Sequence, residues 1–468
     1  MIALATLVLA SAGAAWAISR GEVPSQLLAM LVIGVGWGVL VLQPTHRIVV
    51  CLMLLAILSP DVTILPGLPQ FRLEEWFIYT LVPFIFLTRR RALDHAALPV
   101  LAYFAATAVV VLLSVAHSVV MLGAEFVLRD LTDVAQMLKY WGLAWLVGTV
   151  EWNQERLRTV GACLVLGFAA AAVWGMQQRW DLVGLNTTAA VTYTSGEHQA
   201  IAIASGGRVF GTSGNPNEFG CLMTMGAALG LSLLGTARDR RLPALLLVVV
   251  CSAAVVLTGS RGSLLALVAT TGAALAAAAL APAYRRSAGA VAVGLVVISA
   301  VVASTIRFVP YLDDLPHVLE DPTQDASFTN RWLWGFPRAV DLWARSPVLG
   351  WGPAKETIAS LYDSQYYYTL SRFGLVGCAL LGALIIVPTK WGAVLLRKGL
   401  GWEARTLGSW LLLGGVAQVI INVTNLTLSR FQFMDLWTPV LVIGAILQSQ
   451  VAQGRMAEDR VIEGQPRR

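Results

Sequence analysis

Apolar stretches long enough to cross a bilayer recur along the whole chain, and no other feature constrains its fold as tightly. Bilayer hydrocarbon is about 30 Å thick, so a helix rising about 1.5 Å per residue needs roughly 20 mostly apolar residues to span it. Such runs lie near residues 2–19, 24–42, 46–59, 74–88, 97–120, 134–150, 158–176, 216–235, 242–258, 262–281, 287–305, 365–389, 404–424 and 434–450. They predict an all-α polytopic membrane protein with about 12–14 transmembrane helices. Composition agrees: 57% of the 468 residues are hydrophobic and only 13% are charged, with a mean hydropathy of +0.70. A water-soluble fold cannot cover that much apolar surface. The first run lacks a basic leader and reads as a span rather than a signal peptide. The runs at 46–59 and 74–88 are short, and fit re-entrant or interfacial segments as well as spans.

Lys and Arg are retained on the cytoplasmic side of short loops. Arg89, Arg90 and Arg91, then Arg156 and Arg158, then Arg238, Arg240 and Arg241, then Arg285 and Arg286 fall in alternate connections. Lys390, Arg397, Lys398 and Arg405 continue the series, as does the tail ending in Arg467 and Arg468. The pattern places all of these inside, with both termini. The net charge of +6 is therefore read as a topology signal and a bilayer partner, with no nucleic-acid surface expected. Five cysteines, Cys51, Cys163, Cys221, Cys251 and Cys378, sit inside predicted spans without metal-ligand spacing. Neither a disulfide nor a metal site is expected. The chain reads as one multi-span membrane domain over 1–450 followed by a basic cytoplasmic tail over 451–468.

Two connections are too long for simple turns, about 177–215 and 306–364, and the alternation sets both on the outer face. The apolar and aromatic part of Phe328 to Trp334 is expected as an amphipathic helix on the membrane. Four segments on or beside that face carry chemistry. In Arg208-Val209-Phe210-Gly211-Thr212-Ser213-Gly214-Asn215-Pro216-Asn217-Glu218, glycines precede a helix-starting Asn-Pro-Asn, where backbone amides and the Arg208 fork suit an anion. Arg261 stands in a tight turn, Gly259-Ser260-Arg261-Gly262, and a lone Arg there is costly unless paired or bound. The stretch from Asn330-Arg331-Trp332-Leu333-Trp334 to Pro347-Val348-Leu349-Gly350-Trp351-Gly352 mixes guanidinium groups with indoles, which suit phosphates and sugar faces. The fourth, Asp363-Ser364-Gln365-Tyr366-Tyr367-Tyr368, stands where the chain re-enters the bilayer and is followed by Arg372 and Gly374. Trp and Tyr also collect at bilayer interfaces whatever the function, so these aromatics fit belt anchors equally well. Outer arginines such as Arg338 and Arg345 fit contacts to lipid phosphate.

Taken together, the four segments resemble the O-antigen ligase and polymerase superfamily of bacterial membrane glycosyltransferases. The resemblance rests on Arg208-x-x-Gly211-Thr212-x-Gly214-Asn215-Pro216-Asn217, on Gly259-Ser260-Arg261-Gly262, and on Arg331-x-x-Trp334 with Pro347-x-Leu349-Gly350-x-Gly352, and covers roughly residues 160–440. It implies a GT-C-like, metal-independent enzyme of the bacterial inner membrane that needs no cofactor. Its donor would be a glycan on undecaprenyl diphosphate, and a chain-length regulator is a further partner on family grounds. By position, Arg208, Arg261 and Arg331 inherit the role of holding the departing diphosphate, with Trp334, Gln365 and Tyr366 placed to contact sugar. Ligases of the superfamily carry a His-Asn pair where the last large outer loop returns to the membrane. Here that place reads Asp363-Ser364-Gln365-Tyr366, and His46, His95, His117, His198 and His317 all lie elsewhere. The departure favours a polymerase extending O-antigen, capsule or exopolysaccharide, with Asp363 or Glu218 as candidate base. Glu218 also fits as a favourable charge in the first turn of a helix. The ligase that transfers glycan to lipid A core or protein is the alternative. A lipid-linked sugar flippase or other transporter is the rival from another class. It would show ionisable residues midway through its spans, whereas Glu125, Arg129, Asp130, Asp133 and Lys139 read as an interfacial cluster at a span edge.

Overall fold

The computed structural model describes residues 34–59, 61–62, 71–89, 92–180, 207–285, 287–309, 312, 320–321, 323, 329–355, 364–399, 401–425 and 431–463. These residues are overwhelmingly helical. The principal helices are α1 (Thr45–Leu58), α2 (Leu73–Thr88), α3 (Leu98–Leu122), α4 (Thr132–Gly148), α5 (Gln154–Trp180), α6 (Pro216–Thr236) and α7 (Arg241–Leu257). They continue with α8 (Arg261–Leu280), α9 (Ala288–Thr305), α10 (Phe336–Arg345), α11 (Gln365–Lys398), α12 (Trp402–Thr424) and α13 (Phe431–Glu463). The one strand pairing among the described residues is antiparallel and two residues long, with Asp61 opposite Arg72.

Nine helical segments among the described residues are long and apolar enough to cross a membrane. Three more, α1, α2 and α4, have 14, 16 and 17 residues. The protein is a multi-pass, all-α membrane protein. Each of the twelve expected runs from 46–59 onward meets one of these helices, while 2–19 and most of 24–42 lie outside the described residues. Helix α13 continues past residue 450 to Glu463. The amphipathic segment expected to end at Trp334 is displaced: a π-helical turn spans Thr329–Gly335, and the α-helix begins only at Phe336.

Connections between helices gather at two ends of the bundle. At one end, the site end, Arg208 Nε donates to the Thr258 carbonyl at 2.7 Å, Arg72 Nη1 to the Thr212 carbonyl at 3.1 Å, and the Gln365 amide to the Asn425 carbonyl at 3.2 Å. The opposite end joins Asp94 N to Gly148 O at 2.9 Å and Arg158 to Glu403 at 2.5 Å. The described residues of the Arg208, Arg261 and Gln365 motifs belong to the site end. Helix α6 is the hub, almost wholly buried by its neighbours, whereas the segment containing α9 is largely exposed on the outside of the bundle. Small residues let neighbours approach α6 closely, since a Cβ at Gly226 would meet Cys251 Sγ at 2.7 Å and one at Gly230 would meet Val248 at 2.7 Å.

Helix α11 breaks at Gly374, whose φ of 58° and ψ of −152° leave the helical region. A break inside a membrane helix frees backbone groups that lipid cannot satisfy. The loop from Pro347 to Gly352 satisfies four of them. Trp351 N donates to Ser371 O at 3.1 Å and Gly352 N to Arg372 O at 2.7 Å, while Leu375 N and Val376 N donate to the carbonyls of Pro347 and Val348 at 2.9 and 3.3 Å. Ser114 Oγ anchors the Leu349 carbonyl at 2.8 Å. Glycine is required because Gly350 and Gly352 have φ of 65° and 61°, and a Cβ on Gly352 would meet the Ser114 backbone at 2.9 Å. Gly352→Ala is therefore expected to cost on the order of 2 kcal/mol. In detergent its thermal unfolding should fall clearly below wild type, while Gly382→Ala, inside α11 with nothing within 4 Å of the added Cβ, should not lower it. Equal melting of the two variants would remove this account of the loop.

Candidate functional site

The site grows from two helix starts. Pro216 opens α6 and Asn215 caps it, its Oδ1 accepting from Asn217 N at 2.8 Å; Glu218 follows, half-buried, in the first turn. Ser260 caps α8, so Arg261 occupies the first helical position. A cation there adds to the positive end of the helix dipole, and the two together favour a bound anion.

Arg208 joins the two starts. Its Nε donates to Thr258 O, three residues before Arg261, and its Nη2 donates to Asn217 Oδ1 at 2.8 Å. The Val209 amide adds a bond to Leu257 O at 3.1 Å. The guanidinium is thus held between the C-terminal end of α7 and the first turn of α6. Its loop is fixed from behind. Gln178 Nε2 donates to Gly211 O at 3.1 Å, and Gly211 N returns a bond to Gln178 Oε1 at 2.9 Å. Thr212 Oγ1 bonds Ile57 O at 2.6 Å, and Arg72 holds the Thr212 carbonyl.

Behind this loop lies a network of charges that the sequence did not reveal. Arg72 Nε pairs with Glu74 Oε1 at 2.7 Å, and Ser59 Oγ also donates to Glu74. Lys139 Nζ sits between Glu75 Oε1 at 2.7 Å and Asp435 Oδ2 at 2.9 Å. The Lys139 side chain has no exposed surface, so its expected interfacial position is corrected: three helices, α2, α4 and α13, enclose it with two carboxylates. Hydrophobic helices tolerate such charges only when paired. Asp130 is buried too, accepting from Val127 N at 3.1 Å and Lys355 N at 2.9 Å.

The remaining motifs reach the same end through α11 and α12. A Cβ on Gly262 would strike Thr424, and Asn425 Nδ2 approaches Cys221 Sγ at 3.4 Å, which brings the end of α12 against the starts of α6 and α8. Asn425 O accepts the Gln365 amide, and Ser364 Oγ donates to Asn422 O at 3.2 Å. Gln365 is buried, with Nε2 3.2 Å from Thr369 Oγ1. It borders a cavity of about 90 Å³ together with Asp133, Gln136 and Tyr368. Asp133 there accepts from Lys355 Nζ at 2.7 Å and from the Tyr368 hydroxyl at 3.2 Å. The segment of Arg331 leans on α11 through Trp332, whose ring lies 6.0 Å from that of Tyr367. Trp334 projects outward and is 71% exposed. The Tyr366 hydroxyl donates to Val419 O at 2.9 Å, tying α11 to α12. Arg372, noted in the sequence without a role, is fully buried beside the Tyr368 ring, 5.8 Å from its centroid. His117 bonds Ser346 Oγ at 3.0 Å and so belongs to the seat of the Pro347 loop. Asp363 lies outside the described residues.

Residues 245–382, from within α7 to within α11, match the family model described as O-antigen ligase. Over these residues, under a third of the chain, the sequence is similar to that family. Arg261, Arg331, Trp334, Asp363, Gln365 and Tyr366 fall inside the match, while Arg208 and Glu218 precede it. The match supports the O-antigen ligase and polymerase superfamily, and with it a membrane glycosyltransferase-type enzyme acting on a lipid-linked glycan. No curated protein matches the chain.

Proposed function

We propose that the protein polymerises undecaprenyl-diphosphate-linked oligosaccharide repeat units at the outer face of the bacterial inner membrane. The observation that supports this most is the joining of Arg208 to the turn that carries Arg261, beside two helix N-termini at one end of a membrane bundle. In the reaction, an acceptor hydroxyl oxygen attacks the anomeric carbon of the donor sugar. The bond from that carbon to the diphosphate oxygen breaks, and the hydroxyl proton passes to a carboxylate, Asp363 or Glu218. Negative charge grows on the departing lipid diphosphate. Guanidinium groups held beforehand stabilise it with little reorganisation, which is the role of Arg208 and Arg261, with Arg331 approaching from the Trp332 segment. Gln365, Tyr366 and Trp334 orient sugar. The basic connections at the opposite end, Arg158 and Arg240 among them, support a cytoplasmic placement of that end and, in this reading, of both termini.

The ligase is the second reading, favoured by the description of the matched family. Removing the gene from its host separates the two. On a gel resolving single repeat units, loss of long chains with accumulation of single repeats is expected. Long chains left on the undecaprenyl carrier would instead assign the ligase, and an unchanged profile would end both readings.

A further inference from the structure

At the end of the bundle opposite the site, α5, α6, α12 and α13 enclose a cavity of about 310 Å³. That is the lower range of small-molecule sites, roughly 300–1,000 Å³. Its walls are apolar, from Leu164 and Leu229 to Val440 and Ile443, and they reach the lipid-facing surface at Leu166, which is 63% exposed. Gly161 leaves one wall open, since a Cβ built there meets nothing within 4 Å. The polar groups are few. Glu403 is buried and held by Arg158, whose own side chain stays 55% exposed, and Arg240 adds a second, exposed guanidinium. Counting Arg158, Arg240 and Glu403, the lining bears a net positive charge over an apolar interior.

We infer that this cleft binds an anionic phospholipid, one acyl chain entering past Gly161 and the phosphate lying against Arg158 and Arg240. The apolar walls suit an acyl chain and reject a free polar anion. The surplus cation is complementary to a lipid phosphate, and guanidinium groups bind phosphate in a fork geometry. The site lies at the other end of α6 from Arg208 and Arg261, so this inference does not depend on the reaction proposed for them.

Native mass spectrometry of the full-length protein tests it, after exchange into equal phosphatidylglycerol and phosphatidylcholine of the same acyl chains. Wild type is expected to retain phosphatidylglycerol at least tenfold over phosphatidylcholine. Gly161→Leu, which fills the opening, should lose both lipids, with thermal unfolding reporting that the variant is folded. Arg240→Gln, an exposed change, should keep lipid binding and lose most of the headgroup preference. Equal retention of the two lipids by wild type, or undiminished retention by folded Gly161→Leu, would overturn the inference.

Discussion

Replacing Arg208 or Arg261 with alanine is expected to lower glycosyl transfer by about 100- to 1,000-fold, the loss typical of removing one group that stabilises developing charge. Both arginines are expected to matter mainly once the diphosphate begins to leave, so the rate of the chemical step should fall more than the apparent affinity for donor. Arg208 also ties the end of α7 to Asn217, and alanine there removes structural bonds as well. Asn217→Ala separates the two effects, since it deletes one anchor and leaves the guanidinium. It should cost far less activity than Arg208→Ala. Product formation near wild type in both arginine variants, with normal membrane insertion, would remove the diphosphate clamp from the account.

Lys139→Met is expected to destabilise the fold more than any of the other substitutions. It leaves the carboxylates of Glu75 and Asp435, each 1% exposed, without their shared cation. Breaking a buried pair by removing one partner costs about 3–5 kcal/mol, because the remaining charge cannot be solvated. The result should be a sharp fall in folded yield and in thermal stability in detergent. Adding Glu75→Gln and Asp435→Asn to Lys139→Met should recover much of the loss, since a neutral interior of similar volume tolerates burial far better. An unaltered melting curve for the single variant would show that the ion network does not hold α2, α4 and α13 together.

The membrane fold was legible because hydropathy along the chain reports each span directly, and alternating Arg and Lys report connections that share an end. One helix start was legible as well: Asn215-Pro216 opens α6, as local turn chemistry requires, whereas Gly259-Ser260-Arg261-Gly262 reads in sequence as a turn and only the structure makes Ser260 the cap of α8. Lys139 was not legible. Its partners stand 64 and 296 residues away, and a charge near the end of a hydrophobic run looks the same in sequence whether it faces water or two buried carboxylates. The segment that runs from Asn330 to Gly352 stands out in sequence for its indoles and arginines, yet the glycines at its end, Gly350 and Gly352, serve a backbone need set by the break at Gly374. That need exists only once α11 has been built and bent, so periodicity could not announce it. Arg208 and Arg261 were each visible as an Arg in a Gly-rich turn. Their connection through Thr258 required the packing of α6 against α7 and α8.

Whether this protein joins lipid-linked repeat units without help from a metal is tested most directly by reconstitution. Purified protein in liposomes would be given undecaprenyl-diphosphate-linked single repeats as both donor and acceptor, with a chelator present, and the products resolved by length. A ladder of chains longer than one repeat, lost in Arg261→Ala, is the predicted result. Failure to extend the repeats by protein that is folded and inserted would contradict it.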